Sequence, residues 1–230
     1  MGIEERYENV AAEVAEQCRA CGRAPEDVRL VAVSKTVGED GVAQAFAAGA
    51  RDFGENRPDQ IVPKAAAFPE ARWHFIGNIQ SRRIPDIVGA ATLIHSLYQL
   101  RHAQKIDQAA AALGKVQDVL IEVNVSGEAS KSGAAPEEAL ALVQGCEELP
   151  HVRVRGLMTM APQGDPEAVR ATFEGLAALA ADIRAQLPAE NAADFTELSM
   201  GMSEDWPVAI ACGATIVRVG RAIFSDSFQE

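Results

Sequence analysis

Basic residues, long apolar runs and cysteines are scarce in this sequence, and each shortage excludes a class of protein. Among its 230 residues, 21 lysines and arginines stand against 33 aspartates and glutamates, which gives a formal net charge of −12. An acidic surface of this kind repels phosphate backbones and anionic lipid headgroups at long range, although a local basic pocket can still bind a small anion. We therefore expect no nucleic-acid partner.

Long apolar runs and cysteines are scarce as well. No stretch approaches the roughly 18 unbroken apolar residues of a membrane span, and the first residues, Met-Gly-Ile-Glu-Glu-Arg, contain no apolar signal core. Four cysteines are too few for a disulfide framework in a chain of this length. These features predict a cytoplasmic globular protein without a membrane anchor.

Short runs rich in Val, Ile and Leu recur along the chain, and most are followed by a helical stretch, which is typical of βα units with a parallel sheet. The eight runs are Val28–Val33, Ala50–Phe53, Trp73–Ile76, Leu93–His95, Val119–Val125, Val154–Met158, Glu197–Met200 and Thr215–Val219. An extra helix, Glu4–Cys21, precedes them. The pattern predicts an α/β fold: a TIM (β/α)8 barrel that forms a single domain over residues 1–230, with a doubly wound open sheet as the alternative.

In such a barrel, functional residues lie at the carboxyl ends of the strands and in the loops that follow. Lys35 comes directly after the first run, and we expect its side chain to enter the barrel mouth partly desolvated. Desolvation lowers the pKa of an ammonium group and frees the amine to attack a carbonyl. A strand-end lysine that simply reaches water is the alternative interpretation.

Two glycine-bearing turns follow the seventh and eighth runs. They are Ser199–Ser203, which contains Gly201, and Arg218–Arg221, which contains Gly220. Loops at these two strands commonly hold phosphate in this class of barrel, whereas a glycine alone only permits a tight turn. Barrel closure places Lys35 beside them, and an amine next to phosphate donors is the combination that pyridoxal phosphate requires.

Motifs spread from about Leu30 to Phe224 resemble the YggS/PROSC family of pyridoxal phosphate homeostasis proteins. The matching segments are Val33–Lys35, Phe53–Asn56, Trp73–Gly77, Ile94–Leu97, Val123–Glu128 with Lys131 and Gly133, Gly156–Met158, Leu198–Ser203 with Asp205, and Val217–Gly220 with Ile223 and Phe224. The resemblance implies a barrel similar to the N-terminal domain of alanine racemase, with pyridoxal phosphate as its cofactor.

The resemblance also implies roles for individual residues. Lys35 matches the lysine that holds the cofactor as a Schiff base, Arg218 would face the pyridine nitrogen, and Asn56 would contact the ring hydroxyl. The phosphate would be held by backbone and hydroxyl groups of Ser199, Gly201, Ser203, Gly220 and Arg221. For His74 and Lys131, which also lie in family motifs, we expect a satisfied polar role at the barrel rim.

The sequence departs from the family pattern near the expected pocket. Arg57 and Pro58 stand where Tyr is usual, Tyr98 and Gln99 replace Asp-Arg, and Ser225 replaces Gly. Arg221 follows Gly220 where a smaller residue is common. The arginines could change the pocket mouth or its affinity for anions, but Lys35 and the glycine turns are unaffected.

Two functions from different classes fit this barrel: a non-enzymatic carrier that stores, buffers or delivers pyridoxal phosphate, and an amino-acid racemase with weak activity. A racemase generally needs acid/base groups on both faces of the cofactor, and racemase-type enzymes take a tyrosine from an additional β-domain of a partner subunit. This chain ends soon after its eighth run and contains only Tyr7 and Tyr98, although Lys131 could serve as a second base. We therefore favour a carrier, a monomer or weak dimer, whose partners would be apoenzymes that use pyridoxal phosphate.

A C-x-x-C motif, Cys18 and Cys21, suggests metal or redox chemistry as a third possibility. No second pair or suitably spaced histidine completes a zinc site, and the motif lies at a helix end rather than in a strand-turn-helix context. We interpret both cysteines as packing residues and predict no metal site.

Overall fold

Eight parallel strands form a closed barrel in the computed structural model, which describes residues 1–128 and 131–225. The strands are β1 (Arg29–Val33), β2 (Asp52–Glu55), β3 (Arg72–Phe75), β4 (Leu93–Leu97), β5 (Gln117–Glu122), β6 (Val152–Met158), β7 (Glu197–Ser199) and β8 (Ile216–Val219). They pair in chain order, and β1 pairs with β8 to close the barrel. The predicted TIM barrel is confirmed, and the open sheet is wrong.

Helices surround the barrel. They are α1 (Ile3–Ala20), α2 (Glu39–Ala47), α3 (Pro58–Ala67), α4 (Ile84–Ala90), α5 (Leu100–Ala112), α6 (Pro136–Glu147), α7 (Pro166–Arg184), α8 (Ala189–Asp194), α9 (Trp206–Ala211) and α10 (Arg221–Phe224). The predicted N-terminal helix is α1, whose buried residues recur every four positions and pack against α2, α9 and α10. No helix among the described residues is both long and apolar enough to span a membrane.

Alternation along the strands divides the core into two layers. Ala32 packs outward in the large cluster shared with the helices, whereas its neighbours Val31 and Val33 belong to a small inner cluster with Leu93 and Met158. Successive side chains of a strand point to opposite faces, so one strand supplies both layers. The inner layer also contains polar residues, and these form the interior of the site described below.

Several predicted boundaries differ from the observed ones. The sequence pattern predicts the second strand at Ala50–Phe53, whereas β2 extends through Gly54 and Glu55. The buried Lys64 of α3 pairs with Glu55, and this ion pair allows a charged residue to continue the strand. The fourth strand extends to Leu97 rather than His95. Sequence periodicity also missed α3 and α4, which are short and begin near a proline.

Candidate functional site at the barrel rim

A cavity of about 320 Å³ lies where β1 and β8 meet at the carboxyl end of the barrel. It is lined by Val33, Lys35, Thr36, Gly220, Arg221, Phe224 and Ser225. Because β1 pairs with β8, barrel closure places the lysine after β1 directly beside the glycine turn after β8. The structure thus brings together Lys35, Gly220 and Arg221.

Lys35 is exposed rather than partly desolvated, so that part of the prediction is wrong. The strand ends at Val33, and Ser34 is the last fully buried residue before the rim. The lysine therefore extends beyond the close-packed part of the barrel. Its amine is accessible to a ligand that enters the cavity from solvent.

The two glycine turns are joined by hydrogen bonds. The Gly220 backbone N–H donates to Ser203 Oγ at 3.3 Å, and the Arg218 backbone N–H donates to the Gly201 carbonyl at 2.9 Å. Gly201 has a φ of +90°, and a Cβ there would lie 2.6 Å from Ala209 Cβ in α9. Only glycine fits this position, so the turn after β7 can pack closely against α9.

The two arginines that depart from the family pattern form ion pairs on the surface. Arg221 Nη2 lies 2.7 Å from Glu204 Oε1, and Arg57 Nη2 lies 2.8 Å from Asp59 Oδ2. All four side chains are largely exposed. Arg221 therefore lines the cavity and also pairs, at the surface, with Glu204 on the neighbouring turn.

Asn56, at the end of β2, is exposed and lies against the turn that follows β3. A Cβ at Gly77 would lie only 2.0 Å from the Asn56 carbonyl oxygen. The absence of a side chain at Gly77 therefore lets the two turns meet and fixes the Asn56 backbone at the rim. Asn56 is separate from the residues that line the cavity.

Arg218 lies inside the barrel, only 4% exposed. Its Nη1 donates to Ser199 Oγ at 2.6 Å and its Nη2 donates to the Thr159 carbonyl at 3.0 Å. Burial lowers the pKa of Arg218 to about 10, so the guanidinium remains charged at neutral pH. The Arg218 guanidinium is therefore a fixed positive charge inside the barrel, below the glycine turns.

Two histidines are also buried in the barrel interior. His74, expected at the rim, is instead 1% exposed, because it sits at an inward position in the middle of β3 between Asp52 and His95. His95 is fully buried and contacts Ser199. Sequence reasoning missed the roles of His95 and Asp52; their inward register on adjacent strands is the signal that could have identified them.

Behind Lys35, a buried ion pair supports the end of β1. Lys64 Nζ lies 2.5 Å from Glu55 Oε1 and donates to the Ser34 carbonyl at 3.0 Å. The Ser34 hydroxyl donates to the same carboxylate oxygen at 2.6 Å. These contacts fix the peptide immediately before Lys35 and so determine where the lysine leaves the strand.

Glu122 is a buried residue at the carboxyl end of β5, and it provides a pH-dependent test of the structure. Burial raises its pKa to about 7, against the opposing attraction of Arg218. The unfolded chain loses this proton near the ordinary pKa of 4.5, whereas the folded protein keeps it up to about pH 7. The free energy of unfolding therefore falls as the pH rises from 4.5 to 7 and falls no further above pH 7.

Glu122→Gln is therefore expected to raise the free energy of unfolding at pH 8 by about 2–3 kcal/mol and to change it little at pH 4. Urea unfolding at both pH values measures the difference. Glu70→Gln, at an exposed position, is the control and should be neutral at both. An equal effect of Glu122→Gln at pH 4 and pH 8 would contradict the assignment.

The candidate acid/base residues are held away from the cavity. Lys131 Nζ lies 2.9 Å from Glu128 Oε2 and donates to the Met160 carbonyl at 3.2 Å. Tyr98 follows β4 but packs against the outer core layer, and Tyr7 lies on α1. None of the three lines the cavity at Lys35.

Comparison with known proteins identifies the family. The family model described as "Alanine racemase, N-terminal domain" matches residues 9–227. A pyridoxal phosphate homeostasis protein of Pseudomonas aeruginosa is 42% identical over 225 residues, covering 96% of this chain and 94% of the relative. The chain belongs to the pyridoxal phosphate homeostasis protein family. Another member, from Escherichia coli K12, is 40% identical and covers 89% of this chain and 88% of the relative.

Solved structures place this family member close to PipY of Synechococcus elongatus. The structure of PipY with PLP bound has 34% sequence identity to this chain and a TM-score of 0.80, and the match covers 92% of this chain and 100% of PipY. An alanine racemase of Clostridium difficile has 15% identity and a TM-score of 0.73, with coverage of 96% of this chain and 58% of the racemase. The second similarity shows a shared barrel fold and no more.

Proposed function

We propose that this chain is a non-enzymatic carrier that binds pyridoxal phosphate at the β1/β8 rim and stores, buffers or delivers it to apoenzymes. The observation that carries the proposal is an accessible lysine, Lys35, on a cavity beside glycine turns, in a chain 34% identical to PipY, for which a structure with PLP bound is known. The closed barrel formed by the described residues supports one binding domain, as predicted for residues 1–230. We further propose that the chain acts as a monomer or weak dimer.

The residues at the rim fit this ligand. Lys35 supplies an amine. Gly220 lets the turn after β8 lie close to β1, because a Cβ there would lie 3.1 Å from the Val33 carbonyl oxygen. Arg218 supplies a buried positive charge. When bound, pyridoxal phosphate supplies an aldehyde that reacts with an amine, a phosphate and an electron-withdrawing ring.

Lys35 would hold the ligand through its amine, which would condense with the aldehyde to a Schiff base with release of water. Gly220 and Arg221, which line the cavity, and Gly201 and Ser203 on the adjoining turn would hold the phosphate. Asn56, outside the cavity lining at the end of β2, would contact the ring hydroxyl, and Arg218 would face the pyridine nitrogen. Ser199, predicted as a phosphate contact, is better assigned as a support for Arg218, because its hydroxyl already contacts Arg218 and His95 inside the barrel.

The residues around the cavity favour a carrier over a racemase. Lys131 is held by Glu128 and the Met160 carbonyl, and Tyr98 packs outward. A guanidinium donates hydrogen bonds but does not readily give up a proton, so Arg218 would leave the ring nitrogen without a full proton and the ring a poor electron sink. Racemisation requires both a second acid/base group and such a sink.

Titration of the purified protein with pyridoxal phosphate tests the proposal. After unbound ligand is removed, the wild-type protein is expected to retain a visible absorption band, and Lys35→Ala is expected to lose it, whereas the control Lys105→Ala, at an exposed position on α5, should keep it. The loaded wild-type protein should transfer the ligand to an apoenzyme and should not interconvert D- and L-alanine. Absence of the band in the wild-type protein contradicts binding, and steady racemisation contradicts the carrier role.

A further inference from the structure

An unbroken series of hydrogen bonds crosses the barrel interior from Arg218 to the opposite end of the barrel. Arg218 Nη1 and Ser199 Oγ are 2.6 Å apart, Ser199 Oγ and His95 Nδ1 are 2.8 Å apart, and His95 Nε2 and His74 Nδ1 are 2.8 Å apart. His74 Nε2 then lies 3.0 Å from Asp52 Oδ1. The five residues are each no more than 5% exposed.

With both imidazole rings neutral, the two ends of the series determine the direction of every bond in it. A guanidinium can only donate, and a carboxylate can only accept. Asp52 must therefore accept from His74 Nε2–H, which leaves Nδ1 of a neutral His74 to accept from His95 Nε2–H. Nδ1 of a neutral His95 then accepts the Ser199 hydroxyl proton, and Ser199 Oγ is left to accept from Arg218.

The charges along the series agree with this arrangement. Burial lowers the pKa of His74, and it lowers the pKa of His95 well below the usual range, so both rings are neutral. Burial raises the pKa of Asp52, but hydrogen bonds from His74 and Arg72 outweigh burial and bring it down to about 2. Arg72 Nη2 lies 2.5 Å from Asp52 Oδ2, and Arg29 Nε lies 3.8 Å from Oδ1.

We propose that Asp52, His74, His95 and Ser199 are positioning residues that orient Arg218 toward the ligand ring and couple the Asp52 carboxylate to it through one directed hydrogen-bond series. The inference rests on the proposed function, because its consequence is an altered environment for bound pyridoxal phosphate. Arg218 is thereby fixed by two hydrogen bonds, through Nη1 to Ser199 and through Nη2 to the Thr159 carbonyl.

The first test uses the protein without ligand. Long-range ¹H–¹⁵N NMR of the imidazole rings should show His74 and His95 as neutral Nε2–H tautomers at pH 7–8, while the more exposed ring of His151 provides the internal comparison. A Nδ1–H tautomer at His95, or protonation of either buried ring in this range, would overturn the proposal, because the direction of the series would be lost.

The second test uses the loaded protein. Asp52→Asn should bind pyridoxal phosphate but lower the pH midpoint of its visible band by roughly half a unit, since the carboxylate no longer polarises the series that ends on Arg218. Glu122 and Asp205, the carboxylates whose charges act directly on Arg218, are unchanged in this variant. Asp118→Asn is the matched control, because Asp118 also pairs with an arginine, Arg153, but lies on β5 outside the series. Ser199→Ala should shift the midpoint, and Ser199→Thr should restore it. Amide NMR spectra establish that each variant is folded.

The outcomes separate the two proposals. A visible band in the wild-type protein with equal midpoints in Asp52→Asn and Asp118→Asn overturns the positioning role and leaves the carrier role intact. If Asp52→Asn does not fold, the Ser199→Ala and Ser199→Thr pair decides the same question. If the wild-type protein shows no band, the proposed function fails and the effect of the series on the ligand fails with it.

Discussion

Lys64→Met is expected to lower the free energy of unfolding by about 3–5 kcal/mol, because it leaves a buried carboxylate without its cation. Glu55 is fully buried, and its Oε2 has no hydrogen-bond partner among the described residues, so the charge on Oε1 depends on Lys64 and Ser34. Met is close to Lys in volume and avoids a large cavity. Urea denaturation at pH 7 measures the change.

The double variant Lys64→Met/Glu55→Gln is the control for this prediction. Removing both charges should recover a large part of the loss, because no uncompensated ion remains. Lys105→Met, at an exposed position, should change stability by less than about 0.5 kcal/mol. A loss below about 1 kcal/mol for Lys64→Met would show that Glu55 does not need Lys64.

Gly156→Ala is expected to lower the free energy of unfolding by more than about 3 kcal/mol, since it combines backbone strain with a backbone clash. Gly156 has a φ of +149°, and a Cβ there would lie 1.9 Å from the Glu197 carbonyl oxygen on β7. Gly156 pairs with Glu197, so β6 and β7 would have to separate. Thermal and urea unfolding measure the loss.

Gly89→Ala is the matched substitution for Gly156→Ala. Gly89 lies in α4, is exposed, and has open space around a built Cβ. Alanine should raise stability there by about 0.5–1 kcal/mol, because it favours the helix. Equal effects at the two glycines would contradict the close approach of β6 and β7.

The barrel could be predicted from sequence because buried parallel strands are continuous apolar runs that alternate with helices. Boundaries could not be fixed at β2, where Gly54 and Glu55 look like a turn until Lys64 is known to neutralise the carboxylate. The rim position of Lys35 followed from strand order. Its exposure did not, because exposure depends on how far the lysine extends beyond the last packed residue of β1.

The barrel interior was less predictable than its rim. Asp52, His74 and His95 are distant in sequence, and each taken alone resembles an ordinary polar residue on a strand. Their contact depends on the relative register of β2, β3 and β4, which the sequence pattern does not specify. The motif predicts that Ser199 contacts the phosphate, whereas the alternation of side chains along β7 turns its hydroxyl toward Arg218.

Borohydride reduction of the protein loaded with pyridoxal phosphate, followed by peptide mapping of the modified lysine, shows which amine holds the ligand. Reduction of a Schiff base fixes the ligand on the nitrogen that held it. We expect one stoichiometric adduct on Lys35. An adduct on Lys131 or another lysine, or no adduct in a protein that binds the ligand, would contradict the proposed role of Lys35.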